Sequence, residues 1–99
     1  GQVNYSSTKA ALIGMARSLT REVGKRGITF NVVAPGFIET EMTAVLPTEV
    51  TDGFKSQTPA GRMGSVDDIA NAVQFLTSEG AGYISGAVIP VDGGLGMGH

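Results

Sequence analysis

The sequence predicts an α/β fold, namely the C-terminal part of a doubly wound protein built on a parallel sheet. Three features indicate this class: a long amphipathic helix near the start, a tight glycine turn, and an apolar run of β-branched residues directly after the turn. Helix, turn and buried strand in this order form half of a right-handed βαβ crossover. Because the sequence offers only two strands and a covered parallel sheet needs more, we expect residues 1–99 to form a single partial domain.

The first element is a long helix, predicted over residues 5–24. Its apolar residues recur at spacings of three and four and form one stripe. The residues of this stripe are Leu12, Met15, Ala16, Leu19 and Val23. Asn4 or Ser6 is expected to cap the start of the helix, and Gly24 with Gly27 is expected to end it.

A second face of this helix carries only small side chains at a spacing of four. Its residues are Ser6, Ala10, Gly14 and Ser18. Small side chains let another backbone approach closely, so this face packs either against a partner helix or subunit, or against the protein's own sheet. The sequence leaves both alternatives open.

The middle of the chain is predicted to hold the first strand and a short helix. The run "ITFNVVAPG" at 28–36 ends in Pro-Gly and is typical of a strand buried on both faces. Residues 37–47 are expected to be a loop that ends at Pro47, followed by a short helix over 48–56.

The last third of the chain is predicted to hold one more helix and one more strand. Ser65 and Asp68 have the spacing of a capping box that opens a helix running to about Ser78. The run "GAVIPVDGG" at 86–94 indicates a second strand, in which Pro90 favours an edge position or a strand end. The glycines around its end are Gly93, Gly94, Gly96 and Gly98. They do not have the spacing of a phosphate-binding loop, so we expect a flexible tail.

Composition and charge narrow the possible functions. The sequence has no cysteine, no apolar run long enough to span a membrane and no secretion signal, which is typical of a cytoplasmic protein. Its single histidine cannot form a zinc site alone. Residues 1–26 carry five basic and one acidic side chain, whereas 27–99 carry two basic and eight acidic ones. The acidic overall balance argues against nucleic acid, and we expect neither a metal nor a membrane as partner.

The segment "NYSSTK" at 4–9 places a phenol and an ammonium four residues apart. On a helix, the side chains of Tyr5 and Lys9 lie on one face with Cβ atoms about 5–6 Å apart. An ammonium at that distance favours the phenolate by about 3 kcal/mol at an effective dielectric constant of about 20, and so lowers the pKa of the tyrosine. Such a tyrosine is competent as a general acid for an alkoxide that forms when hydride reaches a carbonyl. Taken alone, however, the spacing favours the simpler interpretation of a tyrosine near the start of a helix beside a solvated lysine.

Several further motifs follow this pair in order, and together they resemble the short-chain dehydrogenase/reductase superfamily. After Tyr-x-x-x-Lys come "N-x-x-x-P-G" from Asn31 to Gly36, "FIET" (37–40), "GR-x-G" (61–64), "FL-x-S" (75–78), "YISG" (83–86) and "VDGG" (91–94). Within the superfamily the sequence is most similar to bacterial, actinobacterial-type 3-oxoacyl-acyl-carrier-protein reductases. The resemblance implies the C-terminal part of a Rossmann-like fold that lacks the N-terminal dinucleotide-binding half.

The resemblance also implies roles for individual residues. Tyr5 donates the proton to the substrate carbonyl, and Lys9 supports Tyr5 and binds the hydroxyl groups of the nicotinamide ribose. The cofactor-binding residues are Tyr5, Lys9, Pro35, Gly36, Ile38 and Thr40. Pro35 and Gly36 are expected to line the nicotinamide site, and the Ile38 backbone to hold the carboxamide. Thr40 is expected to bind the carboxamide or the pyrophosphate.

The activity implied by the resemblance is NADPH-dependent reduction of 3-oxoacyl groups on acyl carrier protein, in fatty acid biosynthesis. NADH remains open, because the glycine-rich loop and the catalytic Ser and Asn of the family have no counterpart in this sequence. Partners are expected to be the carrier-bound substrate and further copies of the chain in a homotetramer. Alternatives are a reductase of another ketone or alcohol, and a non-catalytic assembly fragment. By itself the 99-residue chain is expected to be inactive.

The sequence does not decide the role of two further parts of the chain. Residues 41–58 correspond to the substrate loop of the family, where Met42, Leu46 and Phe54 either cover an acyl chain or pack under the loop. Lys25 and Arg26 lie in the most basic part of the chain. They are candidates for docking the acidic helix of an acyl carrier protein, although charge alone favours a solvated basic face.

Overall fold

The protein is an α/β chain whose computed structural model describes the backbone of residues 2–97 and the side chains of residues 6–97. Its elements in chain order are α1 (Gln2–Val23), a 3-10 turn (Gly24–Arg26), β1 (Val32–Pro35), α2 (Glu41–Ala44), α3 (Thr48–Gln57), α4 (Val66–Leu76), a second 3-10 turn (Glu79–Ala81) and β2 (Val88–Val91). None of the helices in this part of the chain is long and apolar enough to cross a membrane.

The two strands form a parallel two-stranded sheet. The Val32 amide donates to the Ala87 carbonyl at 2.9 Å, and four residues further along both strands Gly36 donates to Val91 at 3.2 Å. Since Ala87 and Val91 both turn their carbonyls to β1, the intervening Pro90 turns its nitrogen to the opposite edge. Its missing N–H therefore breaks no bond of the ladder, which confirms the predicted edge position.

The prediction that residues 28–36 form a strand buried on both faces is wrong in extent and in burial. The strand itself covers four residues, of which Ala34 is buried and Pro35 is exposed. Ile28, in the same apolar run, is 46% exposed. A strand is buried on both faces only when layers cover both, and β2 is the only strand beside β1 among the described residues.

The chain divides into two compact units, which are described separately. The first unit consists of Gly1–Val32 and Phe75–Ile89, and the second of Val33–Gln74 and Pro90–His99. In the first unit, α1 begins at Gln2, so neither Asn4 nor Ser6 is the cap that the sequence predicted. Both are short polar residues that a helix tolerates in its first turns, and an N-cap preference alone does not locate the first turn.

The end of α1 agrees with the prediction. The helix passes into the 3-10 turn at Gly24, and the chain leaves this turn at Gly27 with φ 78° and ψ 19°. The Gly27 amide donates to the Gly24 carbonyl at 3.1 Å. Only glycine adopts this left-handed conformation without steric cost, so Gly27 ends the helical segment.

Asn31 is the main polar connection within the first unit. Its side-chain Nδ2 donates to the Ile84 carbonyl and its Oδ1 accepts from the Ala87 amide, both at 3.1 Å. Ser85 lies between these two residues and accepts from the Phe30 amide through Oγ at 3.2 Å. The asparagine amide therefore joins the segment before β1 to the segment before β2, where the regular ladder has not yet begun.

Two predicted helices of the second unit are confirmed. α3 covers Thr48–Gln57, close to the predicted 48–56. α4 covers Val66–Leu76 and begins with the predicted capping box, in which Ser65 Oγ accepts from the Asp68 amide at 3.2 Å. Asp68 Oδ2 in turn accepts from the Ser65 amide at 2.8 Å. Asp68 therefore has the capping role that its spacing from Ser65 predicts.

The glycine-rich segment after β2 is a compact turn, and the prediction of a flexible tail is wrong for residues 92–97. Asp92 Oδ1 accepts from the Gly94 amide at 2.9 Å, and Oδ2 accepts from the Gly96 amide at 3.0 Å. Gly93 and Gly94 have φ of 62° and 92°. An aspartate ahead of glycines makes this turn favourable, because its carboxylate accepts hydrogen bonds from two backbone amides of the turn. Gly98 and His99 lie outside the described residues.

Candidate active site

Tyr5 and Lys9 lie in one uninterrupted helix, α1, one turn apart. Side chains at this spacing share a face of the helix, as the sequence predicted. The side chain of Lys9 is half-buried and has an interaction partner. The side chain of Tyr5 lies outside the described residues, so its role as proton donor stays a prediction.

The second unit brings together the four other predicted site residues, which lie at the end of β1 and in the loop after it. Ile38 forms an isolated parallel bridge with Gly64. The Gly64 amide donates to the Phe37 carbonyl, and the Glu39 amide donates to the Gly64 carbonyl, both at 2.8 Å. One peptide segment of the turn at Gly64 therefore holds the residues on either side of Ile38.

This pairing determines which way the backbone groups of Ile38 face. In an extended chain, successive residues direct their N–H and C=O groups to opposite sides. Because the neighbouring groups of Phe37 and Glu39 face Gly64, the N–H and C=O of Ile38 face away from it. No residue of the described chain forms a hydrogen bond with either group. Ile38 thus offers one donor and one acceptor side by side, which fits a primary carboxamide.

Gly36 has a structural reason to be glycine. A Cβ added there would lie 2.7 Å from the Asp92 Cβ and 2.8 Å from the Asp92 Cα. Backbone atoms cannot move away as the tip of a side chain can, so the residue after β1 must lack a side chain. Pro35, immediately before it, is exposed at the end of the strand. The close approach to Asp92 was not visible in the sequence, from which Gly36 was expected to end the strand and to line the nicotinamide site.

Thr40 is the N-cap of the short helix α2. Its Oγ1 accepts from the Thr43 amide at 3.4 Å, and its own amide donates to Thr43 Oγ1 at 2.8 Å. Thr43 Oγ1 also donates to the Thr40 carbonyl at 2.9 Å. The hydroxyl of Thr40 therefore has a structural role as the cap of α2. The 3.4 Å bond is long, and the exposed Thr40 hydroxyl keeps acceptor capacity for a ligand.

The loop that carries Ile38 is held by a second contact that sequence reasoning missed. The rings of Phe37 and Phe54 stack with centroids 4.2 Å apart and an angle of 17° between their planes. Phe54 in α3 therefore packs against the loop, which is one of the two roles that the sequence left open for it. No signal in the sequence pairs these two rings, because they lie in different elements.

A cavity of about 640 Å³ lies beside the same loop. Thr40, Leu46 and Lys55 are among the residues that line it. Met42, which was a second candidate for covering an acyl chain, is 81% exposed and does not line this cavity. Of the three loop residues named from the sequence, Leu46 alone is at the cavity wall.

Arg62 and Asp68 form an ion pair next to the Ile38 bridge, with Nη1 and Oδ2 3.0 Å apart. The hydrogen bond from Arg62, assisted by one from the Ser65 amide, lowers the pKa of Asp68 to about 2. The same hydrogen bond and charge raise the pKa of Arg62. The motif "GR-x-G" contributed to the resemblance found in the sequence. Only the fold shows that Asp68 is the partner of its arginine, Arg62.

A parallel sheet with helices and a helical Tyr-x-x-x-Lys pair is the arrangement of the short-chain dehydrogenases and reductases. A family model described as enoyl-(acyl carrier protein) reductase matches residues 1–96. The chain belongs to this family, within the short-chain dehydrogenase/reductase superfamily.

Curated relatives agree with this assignment. The chain is 57% identical over 98 residues to the 3-oxoacyl-[acyl-carrier-protein] reductase MabA of Mycobacterium avium, covering 99% of the chain and 38% of the relative. It is 56% identical over 97 residues to the 3-oxoacyl-[acyl-carrier-protein] reductase FabG of Escherichia coli, covering 98% of the chain and 40% of the relative. The chain therefore spans about two fifths of the length of these relatives.

Proposed function

We propose that this chain is the C-terminal part of a reductase that converts 3-oxoacyl groups on acyl carrier protein to 3-hydroxyacyl groups. The observation that carries the proposal is the position of Tyr5 and Lys9, one turn apart in the unbroken helix α1. The names of the relatives support the same substrate class. The corresponding place in metabolism is fatty acid biosynthesis in the cytoplasm.

Tyr5 is the proton donor in this proposal. As hydride reaches C3 of the acyl chain, the carbonyl oxygen becomes an alkoxide and takes the proton of the Tyr5 hydroxyl. The Lys9 ammonium stabilises the resulting phenolate, because the two groups share one helix face. Lys9 also donates to the hydroxyl groups of the nicotinamide ribose.

Ile38 is the main cofactor contact that this chain supplies. When bound, the nicotinamide cofactor provides the hydride. The Ile38 N–H and C=O have no partner in the described chain and face away from Gly64, so they are suited to the carbonyl and amino groups of a carboxamide. Pro35 and Gly36 line the ring beside them, and Thr40 adds a hydroxyl. We propose NADPH as the cofactor, on the resemblance to its relatives.

The small-residue face of α1 suits association with a second copy, and we propose a homotetramer. A Cβ added at Gly14 would meet no atom within 4 Å, so the face has room for a closely packed helix. Native mass spectrometry of the full-length enzyme tests this assignment. Gly14→Leu is expected to shift the protein to smaller species, and an unchanged tetramer contradicts the proposed contact.

Lys25 and Arg26 are proposed to dock the acyl carrier protein. Both are exposed in the 3-10 turn that ends α1, at the negative end of the helix dipole. Reversal of both charges is expected to raise KM for the carrier-bound substrate at least about fivefold, because opposite charges guide such an encounter. The KM for a short thioester analogue serves as the control, and equal effects on both substrates contradict the docking role.

Substrate profiling of the full-length enzyme tests the proposed activity. Acetoacetyl thioesters with NADPH are expected to be reduced, whereas polyols and steroids with either cofactor are expected to react far more slowly. The same assay with NADH measures cofactor preference. Efficient turnover of polyols or steroids, with none of the thioester, would contradict the proposed substrate class and leave the family assignment in place.

A further inference from the structure

The turn at residues 61–65 is the part of the second unit that holds the backbone of Ile38. Two bonds of 2.8 Å connect it to the loop, one from the Gly64 amide to Phe37 and one from the Glu39 amide to Gly64. Because these bonds enclose Ile38, a displacement of Gly64 displaces or rotates the Ile38 peptide groups as well. The orientation of the Ile38 N–H and C=O therefore depends on whatever keeps this turn in place.

One oxygen atom of Asp68 holds the turn from both sides of Gly64. Asp68 Oδ2 accepts from Arg62 Nη1 at 3.0 Å, two residues before Gly64. It also accepts from the Ser65 amide at 2.8 Å, one residue after Gly64. Arg62 Nη1 further donates to the Met63 carbonyl at 3.1 Å, so the arginine side chain folds back over the turn. Bonds to an ionised carboxylate are about twice as strong as neutral ones.

Gly64, Ile38 and Asp68 also meet sterically. A Cβ added at Gly64 would lie 2.8 Å from the Ile38 Cδ1 and 3.6 Å from the Asp68 Oδ2. The side chain of Ile38 and the carboxylate of Asp68 therefore both lie close to the α-carbon of Gly64. Both the hydrogen bonds and the packing connect Asp68 to the loop through Gly64, with no further element needed.

We propose that Arg62 and Asp68 are positioning residues for the nicotinamide carboxamide, because they hold the turn whose Gly64 orients the Ile38 backbone. The inference rests on the proposed function, since it assigns Ile38 to the cofactor. In this role neither side chain needs to touch the cofactor or the substrate. Their effect is on how firmly the nicotinamide end of the cofactor is held, and on which face of the ring delivers hydride.

The test compares Asp68→Asn with Asp67→Asn in the full-length enzyme. Asp67 is the adjacent carboxylate in the first turn of α4. Its side chain is exposed and forms no hydrogen bond within the described chain, so it is a matched charge control. Two ligands are titrated: NADPH, and adenosine 2′,5′-bisphosphate, which lacks the nicotinamide. Amide hydrogen exchange at Glu39 and Gly64 is measured without any ligand, which reports on the turn independently of activity.

Asp68→Asn is expected to weaken NADPH binding about tenfold and adenosine 2′,5′-bisphosphate less than about twofold, as for the loss of a charge-assisted hydrogen bond. Exchange at Glu39 and Gly64 is expected to rise by a similar factor. Hydride transfer from NADPH deuterated on one face of C4 is expected to lose part of its selectivity. Asp67→Asn leaves all three readouts within about twofold.

Each result decides the inference. If Asp68→Asn leaves both dissociation constants unchanged, or raises both by the same factor, the inference is overturned. The proposed function is still supported in that case, provided that the wild-type enzyme is active. A wild-type enzyme that neither binds NADPH nor reduces the thioester overturns the proposed function and the inference together. If Asp68→Asn does not fold, Arg62→Gln replaces it, because that variant removes the ion pair and leaves the Ser65–Asp68 capping bonds intact.

Discussion

Different kinds of contact determine the geometry of the two regions that carry the predicted site. One region is the helical pair of Tyr5 and Lys9, and the other is the loop around Ile38. The pair belongs to a single helix, and its geometry follows from a spacing of four residues. The loop takes its geometry from residues distant in sequence, since Gly64 pairs with it and Asp92 packs against Gly36. A local site depends on one element, whereas the loop depends on several contacts at once.

This difference predicts which quantity each kind of substitution changes. A change at Tyr5 is expected to remove the proposed proton donor and leave the backbone of α1 in place, so the rate falls while stability and cofactor affinity are maintained. A change in the loop or its supports alters backbone positions, so stability or binding falls. The following experiments test this contrast, in order of decreasing expected effect.

Tyr5→Phe is expected to have the largest effect. Without the hydroxyl there is no proton for the alkoxide, so kcat for ketone reduction should fall at least about 100-fold in the full-length enzyme. The dissociation constant for NADPH, measured by cofactor fluorescence, should change less than about twofold. Tyr83→Phe is the control, because Tyr83 is the only other tyrosine and is fully exposed. Full turnover by Tyr5→Phe would remove the assignment of the proton donor.

Gly36→Ala is expected to destabilise the protein by about 1–3 kcal/mol. The added Cβ would lie 2.7–2.8 Å from atoms of Asp92 that include its Cα, and the backbone there cannot yield easily. Gly53→Ala in α3 is the matched control, because no atom lies within 4 Å of the added methyl group. That control should raise stability by about 0.5–1 kcal/mol through helix propensity. Urea unfolding compares the two, and equal effects would contradict the role of the Asp92 contact.

Asn31→Ala is expected to cost about 1–2 kcal/mol in the free energy of unfolding. It leaves the Ile84 carbonyl and the Ala87 amide without the partners that they have at 3.1 Å. Asn71→Ala on the exposed surface of α4 is the control and should have no destabilising effect, since alanine favours helix. If Asn31→Ala melts at the same temperature as the wild type, the Asn31 side chain does not stabilise the connection between the segments before β1 and β2.

The pH dependence of stability through Asp68 is the smallest expected effect, because its ion pair with Arg62 is largely exposed. The pKa of Asp68 is lowered from 3.8 to about 2 in the folded state, so the stabilisation is present above about pH 4. It is lost as the pH falls from about 4 to about 2, where the folded carboxylate also takes up its proton. Asp68→Asn should flatten this part of the stability profile, and Asp67→Asn should not. If Asp68→Asn leaves the dependence of stability on pH unchanged, the Asp68 carboxylate is not the cause of that dependence.

Local patterns predicted more of the fold than of the site. The capping box at Ser65, the glycine stop at Gly27 and the edge proline Pro90 were all predicted, because each acts within a few residues of itself. The start of α1 was placed too late, since cap preferences do not identify the first turn. The predicted flexible tail is a compact turn, because Asp92 pairs two glycine amides that composition alone does not connect.

The sequence by itself determined the family, the order of the longer helices and the two strands, and the spacing of Tyr5 and Lys9, since each of these depends on local periodicity or on short motifs. It missed the short helix α2, which lies in a segment predicted to be a loop. Only the tertiary structure decided the reason for glycine at position 36, the direction of the Ile38 backbone groups and the partner of Arg62. The physical reason is that these features are contacts between segments far apart in the chain. Such contacts depend on how the elements pack, which no local pattern encodes.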